Sequence, residues 1–173
     1  MKKYLNIIIF FAIFVVFSIL MMPSTQVLNA SVFNIVDLEF LWNYENYQEL
    51  LSTWSINEIE AARVNTLLDF GWLIGYGGLA YSLNKALARK QKGSRKKLLQ
   101  WASYAAVIAV VCDMLENAML LNLLSQSALV FKGLPLFVSL IASLKFAFIG
   151  FSVIIFIIMV VILIIKKYNC KTA

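Results

Sequence analysis

Four apolar runs, each long enough to cross a bilayer, limit what this chain can fold into. A membrane-spanning helix needs roughly 20 consecutive apolar residues. The runs lie at about residues 4–22, 64–84, 98–124 and 138–165, and little of the 173-residue chain remains for anything else. With 62% of residues hydrophobic and 14% charged, the composition excludes an ordinary soluble domain. Only helices and closed barrels satisfy their backbone groups in lipid, and runs of this length are helical. The expected fold is all-α: a single membrane domain over residues 1–173, an integral four-helix bundle.

The first run follows Met1-Lys2-Lys3 and exceeds the 7–15 residues of a signal-peptide core. Leu28-Asn29-Ala30 is a poor cleavage site. A retained helix is expected, ending at Pro23, where the ladder loses a donor. Residues 24–63 form the one sizeable polar segment. Its apolar residues Leu41, Tyr44, Tyr47, Leu51 and Trp54 recur at helix-like spacing. This predicts an amphipathic extracytoplasmic helix between spans 1 and 2, lying on the membrane surface or packed over the outer mouth of the bundle. Ser55-Ile56-Asn57-Glu58 has capping-box spacing and predicts a new helix from Ile56. In the second run Gly71 and Gly75 share a face and allow close helix approach. Gly93-Ser94 marks a turn in the basic loop 85–97.

Charge sets the expected orientation. Lys2, Lys3, the 85–97 stretch and the C-terminal tail with Lys166, Lys167 and Lys171 hold twelve of the fifteen bases. The 24–63 segment holds six of the nine acids. The positive-inside rule then places both termini in the cytoplasm and the acidic segment outside. The chain is expected in the cytoplasmic (inner) membrane, multi-pass. Its net charge of +6 reads as a set of topology signals, so nucleic acid is not an expected partner. The expected partners are the bilayer itself, anionic lipid at the 85–97 loop, and a second copy or another membrane protein.

The three remaining acids, Asp69, Asp113 and Glu116, lie inside apolar runs, as does Lys145. Each sits 16–21 residues from the basic residue that marks its cytoplasmic helix end, or about 24–31 Å at 1.5 Å per residue. Three helices thus place charges in one layer of the outer leaflet. Asp113, Glu116 and Asn117 follow i, i+3, i+4 spacing and line one face. Lys145 is the obvious counter-charge. Because one lysine cannot neutralise three carboxylates, protonation, Arg63, a cation or a substrate amine must help. Glu39 can reach the layer from above.

Intramembrane ionisable residues are functional candidates by default. A polar cluster can also pin helix order and register without any chemistry, so a structural or partner-docking role stands beside binding of a small cation or amine. The alternative is a membrane enzyme acting on a lipid or isoprenoid through its paired carboxyls. The chain has no His, which removes the commonest general base, and no catalytic residue is assigned. Cys112 lies in an apolar run and Cys170 in the basic tail, so no disulfide joins them, and neither belongs to a CxxC pair. No metal site and no cofactor is expected.

Several short elements carry a resemblance: Ile35-Val36-Asp37-Leu38-Glu39, Glu49-Leu50-Leu51-Ser52-Thr53-Trp54, Leu68-Asp69-Phe70 with Tyr76, Asp113-Met114-Leu115-Glu116-Asn117, and Leu144-Lys145-Phe146. Across about residues 35–150 the chain resembles a family of small bacterial four-span membrane proteins with no established activity. The Asp-x-x-Glu-Asn element followed by Lys-Phe is its most specific part. The resemblance implies that Glu39, Trp54, Asp69, Tyr76, Asp113, Glu116, Asn117 and Lys145 belong together, and it implies no mechanism.

Overall fold

The computed structural model describes residues 4–125 and 131–172. Lys2 and Lys3 lie outside the described residues, as do the side chains of Lys167, Cys170 and Lys171. The described chain is all-helical: α1 (Leu5–Asn29), α2 (Ile35–Glu39), α3 (Tyr44–Thr53), α4 (Ile56–Ala88), α5 (Gly93–Leu124) and α6 (Leu134–Thr172). Among the described residues three helices are long and apolar enough to cross a membrane, over Leu5–Asn29, Gly93–Leu124 and Leu134–Lys166. The expectation was four. The 33-residue α4 misses that standard because Asn65, Asp69, Asn84 and Lys85 lower its hydropathy. It nevertheless packs between α1 and α5, and α5 packs in turn on α6.

The long helices therefore form an arc in the order α1, α4, α5, α6, with α1 and α6 not closed against each other. Close approach within the arc comes from small residues. A Cβ at Gly75 would sit 2.6 Å from the backbone nitrogen of Phe14 in α1, and Gly71 and Gly78 face the rings of Phe17 and Phe10. The expected glycine face is real and is used by α1. On the next seam, Gly77 receives Val110 of α5, where Ala102, Ala106 and Ala109 are buried.

Three expected boundaries move. Pro23 does not end α1, which continues six residues to Asn29. An interior proline costs about 3 kcal/mol, but here tertiary contacts hold the far end. Asn65 of α4 donates to Ser24 Oγ at 3.1 Å and to Thr25 Oγ1 at 2.9 Å. The single amphipathic helix is two helices, because Trp42 takes φ 61° and Asn43 caps a fresh start by accepting from the Asn46 N–H at 2.8 Å. The basic stretch 85–97 is mostly helix: the connection spans only residues 89–92, and Gly93, at φ +59°, opens α5.

The predicted capping box at the start of α4 is present, with the Ser55 N–H donating to Glu58 Oε2 at 2.6 Å. Between α2 and α4 the chain folds back over the bundle. Leu38, Leu41, Tyr47, Leu50 and Trp54 are buried with Leu28, Leu120, Leu123 and Leu124 in one apolar core. Tyr47 OH donates to the Leu123 carbonyl at 2.9 Å, and Trp54 Nε1 to that of Phe33 at 3.1 Å. Of the two placements considered for this segment, the structure shows packing over the end of the bundle. A smaller core of Ala88, Leu99 and Met159 closes the opposite end.

Candidate functional site

Lys145 organises the polar layer. Its Nζ lies 2.8 Å from Glu116 Oε2, 3.2 Å from Asp113 Oδ1 and 3.3 Å from Glu39 Oε2. These acids come from α5 and α2, while the lysine is on α6. A helical side chain leans toward its own helix N-terminus, which carries the Lys145 ammonium up to the level of α2. Asp113, Glu116, Asn117 and Lys145 are all buried, Glu116 completely at 0% exposure. Charges so deep in an apolar setting persist only when paired and hydrogen-bonded.

The remaining partners come from α4. Tyr76 OH donates to Asp113 Oδ2 at 2.6 Å. Asn117 Nδ2 donates to Asp69 Oδ2 at 2.7 Å. Asp113 thus takes a hydroxyl on one oxygen and an ammonium on the other, whereas Asp69 is held by an amide. Among the described residues no cation pairs with Asp69. Seven of the residues singled out in the sequence lie together in this layer, in two bonded groups: Glu39, Tyr76, Asp113 and Glu116 around Lys145, and Asp69 with Asn117. Trp54 does not join the layer and belongs to the apolar cap. Arg63 does not join it either; it pairs with Glu60 at 3.3 Å and donates to the Leu124 carbonyl at 2.6 Å. One lysine therefore faces the whole acidic set. Burial pushes the Glu39 carboxyl above its ordinary value of 4.5, and Lys145 offsets only part of that rise.

No family model, curated protein or solved structure matches the chain.

A cavity of about 550 Å³ opens beside the network, within the range of roughly 300–1,000 Å³ common for small-molecule sites. Its polar end is made by Glu39, Asp69, Tyr76, Asp113 and Lys145. The rest is mostly apolar, with Phe14 on α1, Leu79 and Leu83 on α4, and Ile149, Val153 and Phe156 on α6, and with Asn84 of α4 at its far end. It is a groove floored by α4 and walled by α1 and α6, the two helices that do not close on each other. Glu116 is not among its lining residues. The polar layer thus divides into Glu116, which does not reach the cavity, and Glu39, Asp69 and Asp113, which border it together with Lys145.

The sequence reading missed several neighbours of the site. Phe40 stacks on Phe146 with centroids 5.8 Å apart, and Trp42 lies 6.3 Å from Phe40. The Trp42 N–H donates to Ser139 Oγ at 3.0 Å, which ties its left-handed backbone to α6. Lower down, Asn84 Nδ2 donates to Ser152 Oγ at 3.0 Å. Pairing polar residues of α4 and α6 by depth could have found this last contact. Nothing local in the sequence signals the aromatic stack, because its members lie on segments far apart in the chain. Among the described residues no three acidic or cysteine side chains are placed to hold a metal ion, and the Lys145 ammonium occupies the point where the carboxyls converge.

Proposed function

We propose that the protein crosses the cytoplasmic membrane four times, with α4 as the fourth span, and binds a cationic group, foremost an organic amine, at the carboxyls that border the cavity. The observation behind this reading is the charge imbalance. Glu39, Asp69 and Asp113 line the cavity with a single lysine, and that lysine is already shared among Glu116, Asp113 and Glu39. In a low-dielectric site, surplus carboxylates must take up protons or attract a cation. An incoming ammonium would bring charge that the protein itself lacks, and Asp69 offers it a carboxyl with no competing base.

The proposed orientation rests on where the charges gather. Asn6 and Ile7 of α1 share a hollow with Lys85 and Arg89, and Lys166 of α6 shares another with Lys90, Lys92 and Arg95. Both ends of the chain thus meet the basic end of the bundle. The positive-inside rule puts that end in the cytoplasm, against anionic lipid. Asp37, Glu45, Glu49, Glu58 and Glu60 belong to the opposite end and lie outside.

The test is thermal melting of detergent-solubilised protein with butylamine, against sodium at equal ionic strength. A ligand at a hundred times its Kd stabilises by about 2.7 kcal/mol. Stabilisation by butylamine beyond sodium is expected in the native protein and in Glu116→Gln, though the latter melts earlier. Asp69→Asn is expected to fold and to lose the response. Equal shifts with sodium and butylamine, or a full response in Asp69→Asn, would remove the cation site.

A further inference from the structure

Taking the carboxyls as a cation site, we infer that the ligand is a single-chain amphiphile with an amine head group, which enters sideways from the bilayer between α1 and α6. The inference deepens the reading above and rests on the shape of the cavity below the carboxyls. A site for a small hydrated amine needs only the polar end. Here the cavity continues from Lys145 along α6 to Phe156 and along α4 to Asn84. The α6 wall alone runs twelve residues from Lys145 to Phe156, a rise of about 16 Å. That is close to half of a hydrocarbon core about 30 Å thick, which is the reach of one lipid tail in one leaflet. The walls along this length are the apolar and aromatic side chains of Phe14, Leu79, Leu83, Ile149, Val153 and Phe156.

The route is set by packing. α4 contacts α1, and α6 contacts both α5 and α4, while α1 and α6 are not packed against each other. From above it is roofed by α2, whose Val36 and Glu39 line it, and by Phe40 stacked on Phe146. α2 thus borders the polar end, and the entry inferred here is the side between α1 and α6, toward the region where tails lie. Charge complementarity selects the head: three carboxyls and a committed lysine favour an ammonium and reject a free phosphate or carboxylate. Volume selects one chain, since the cavity holds about 550 Å³, and two tails would need the groove to widen.

Moving a tail from lipid into an apolar groove gains little hydrophobic free energy, because both surroundings are apolar. The tail's contribution is fit, and small-to-large changes in the groove should abolish it. The experiment uses the full chain in nanodiscs of neutral lipid, titrated with dodecylamine, dodecanol or butylamine and followed by melting temperature. Ala80→Phe and Ile149→Trp fill the groove below the carboxyls. Expected in these variants is at least a tenfold rise in half-saturating dodecylamine, with the butylamine response within twofold of the native protein. Dodecanol should give no shift. In parallel, dodecylamine carrying a tail diazirine should label peptides of α4 and α6 that contain Leu79–Leu83 and Ile149–Phe156. This readout does not depend on the folding of any variant.

The tail inference is overturned if butylamine stabilises but the groove-filling variants keep full dodecylamine affinity, or if the label lands on Met114 and Leu115. The underlying cation reading fails separately if dodecanol and dodecylamine stabilise equally while butylamine does nothing.

Discussion

Lys145 faces three carboxyl groups within 2.8–3.3 Å, and each partner depends on it differently. Removing one member of a buried ion pair strands the others at a cost of about 3–5 kcal/mol, whereas replacing both members can be near neutral. Lys145→Met should therefore destabilise strongly, and Lys145→Met with Glu116→Gln should recover much of the loss. A double-mutant cycle by chemical or thermal unfolding reads this coupling; strict additivity would mean that the two side chains do not interact. Replacing Glu116 should hurt stability more than replacing Asp69, since Glu116 is fully buried against Lys145 while Asp69 borders the cavity.

At the scale of elements, the seam between α1 and α4 is a glycine surface with unequal tolerance. At Gly75 a Cβ meets backbone, with Phe14 N at 2.6 Å and Cα at 2.7 Å. At Gly71 it meets the ring of Phe17, which can rotate. Overpacking costs typically about 1–3 kcal/mol. Gly75→Ala should lie at the upper end of that range and Gly71→Ala well below it, as measured by melting in one detergent. Equal losses would show that α1 shifts as a rigid body. The start of α4 gives a pH dependence. Glu58 accepts from Ser31 and Ser55, and these bonds hold its carboxyl below the ordinary 4.5. A depressed folded pKa means that its stabilisation is fully present above the unfolded value of 4.5. The stabilisation is lost as pH falls below that value, through the folded pKa. Acid melting curves of Glu58→Gln should be flatter in this window than those of the native protein.

At the scale of the molecule, the arc of helices with a two-helix cap determines what faces which side. If α4 spans the membrane as proposed, single cysteines at Ser94 and at Glu49, in a background without Cys112 and Cys170, will label from opposite sides of sealed vesicles. Reagent that does not cross membranes should reach position 49 in spheroplasts, and position 94 only after permeabilisation. Labelling of both positions from one side would remove α4 as a span and with it the outer-leaflet placement of the carboxyl layer.

The long apolar runs alone determined that this is a helical membrane protein, because in lipid no other run of that length satisfies its backbone. The layer of buried charges was equally legible: residues on different helices meet when they lie at matching depth, and depth can be counted from the basic helix ends. Asp113, Glu116 and Asn117 share a face by spacing alone, and Lys145 was the one cation at their level. Helix ends were less legible. Pro23 carries a strong local signal for a break, and the contacts that override it, Asn65 with Ser24 and Thr25, join residues about forty positions apart; in the 85–97 stretch the break is real but spans only residues 89–92. Only the tertiary structure decided that Arg63 and Trp54 stay out of the network. Glu39 was expected to reach the layer from above, but only the structure showed that α2 brings it to Lys145, and that α1 and α6 stand apart around a mostly apolar groove. These features depend on how far helices separate once their side chains interdigitate, and that distance is a property of the packed set which no single helix encodes.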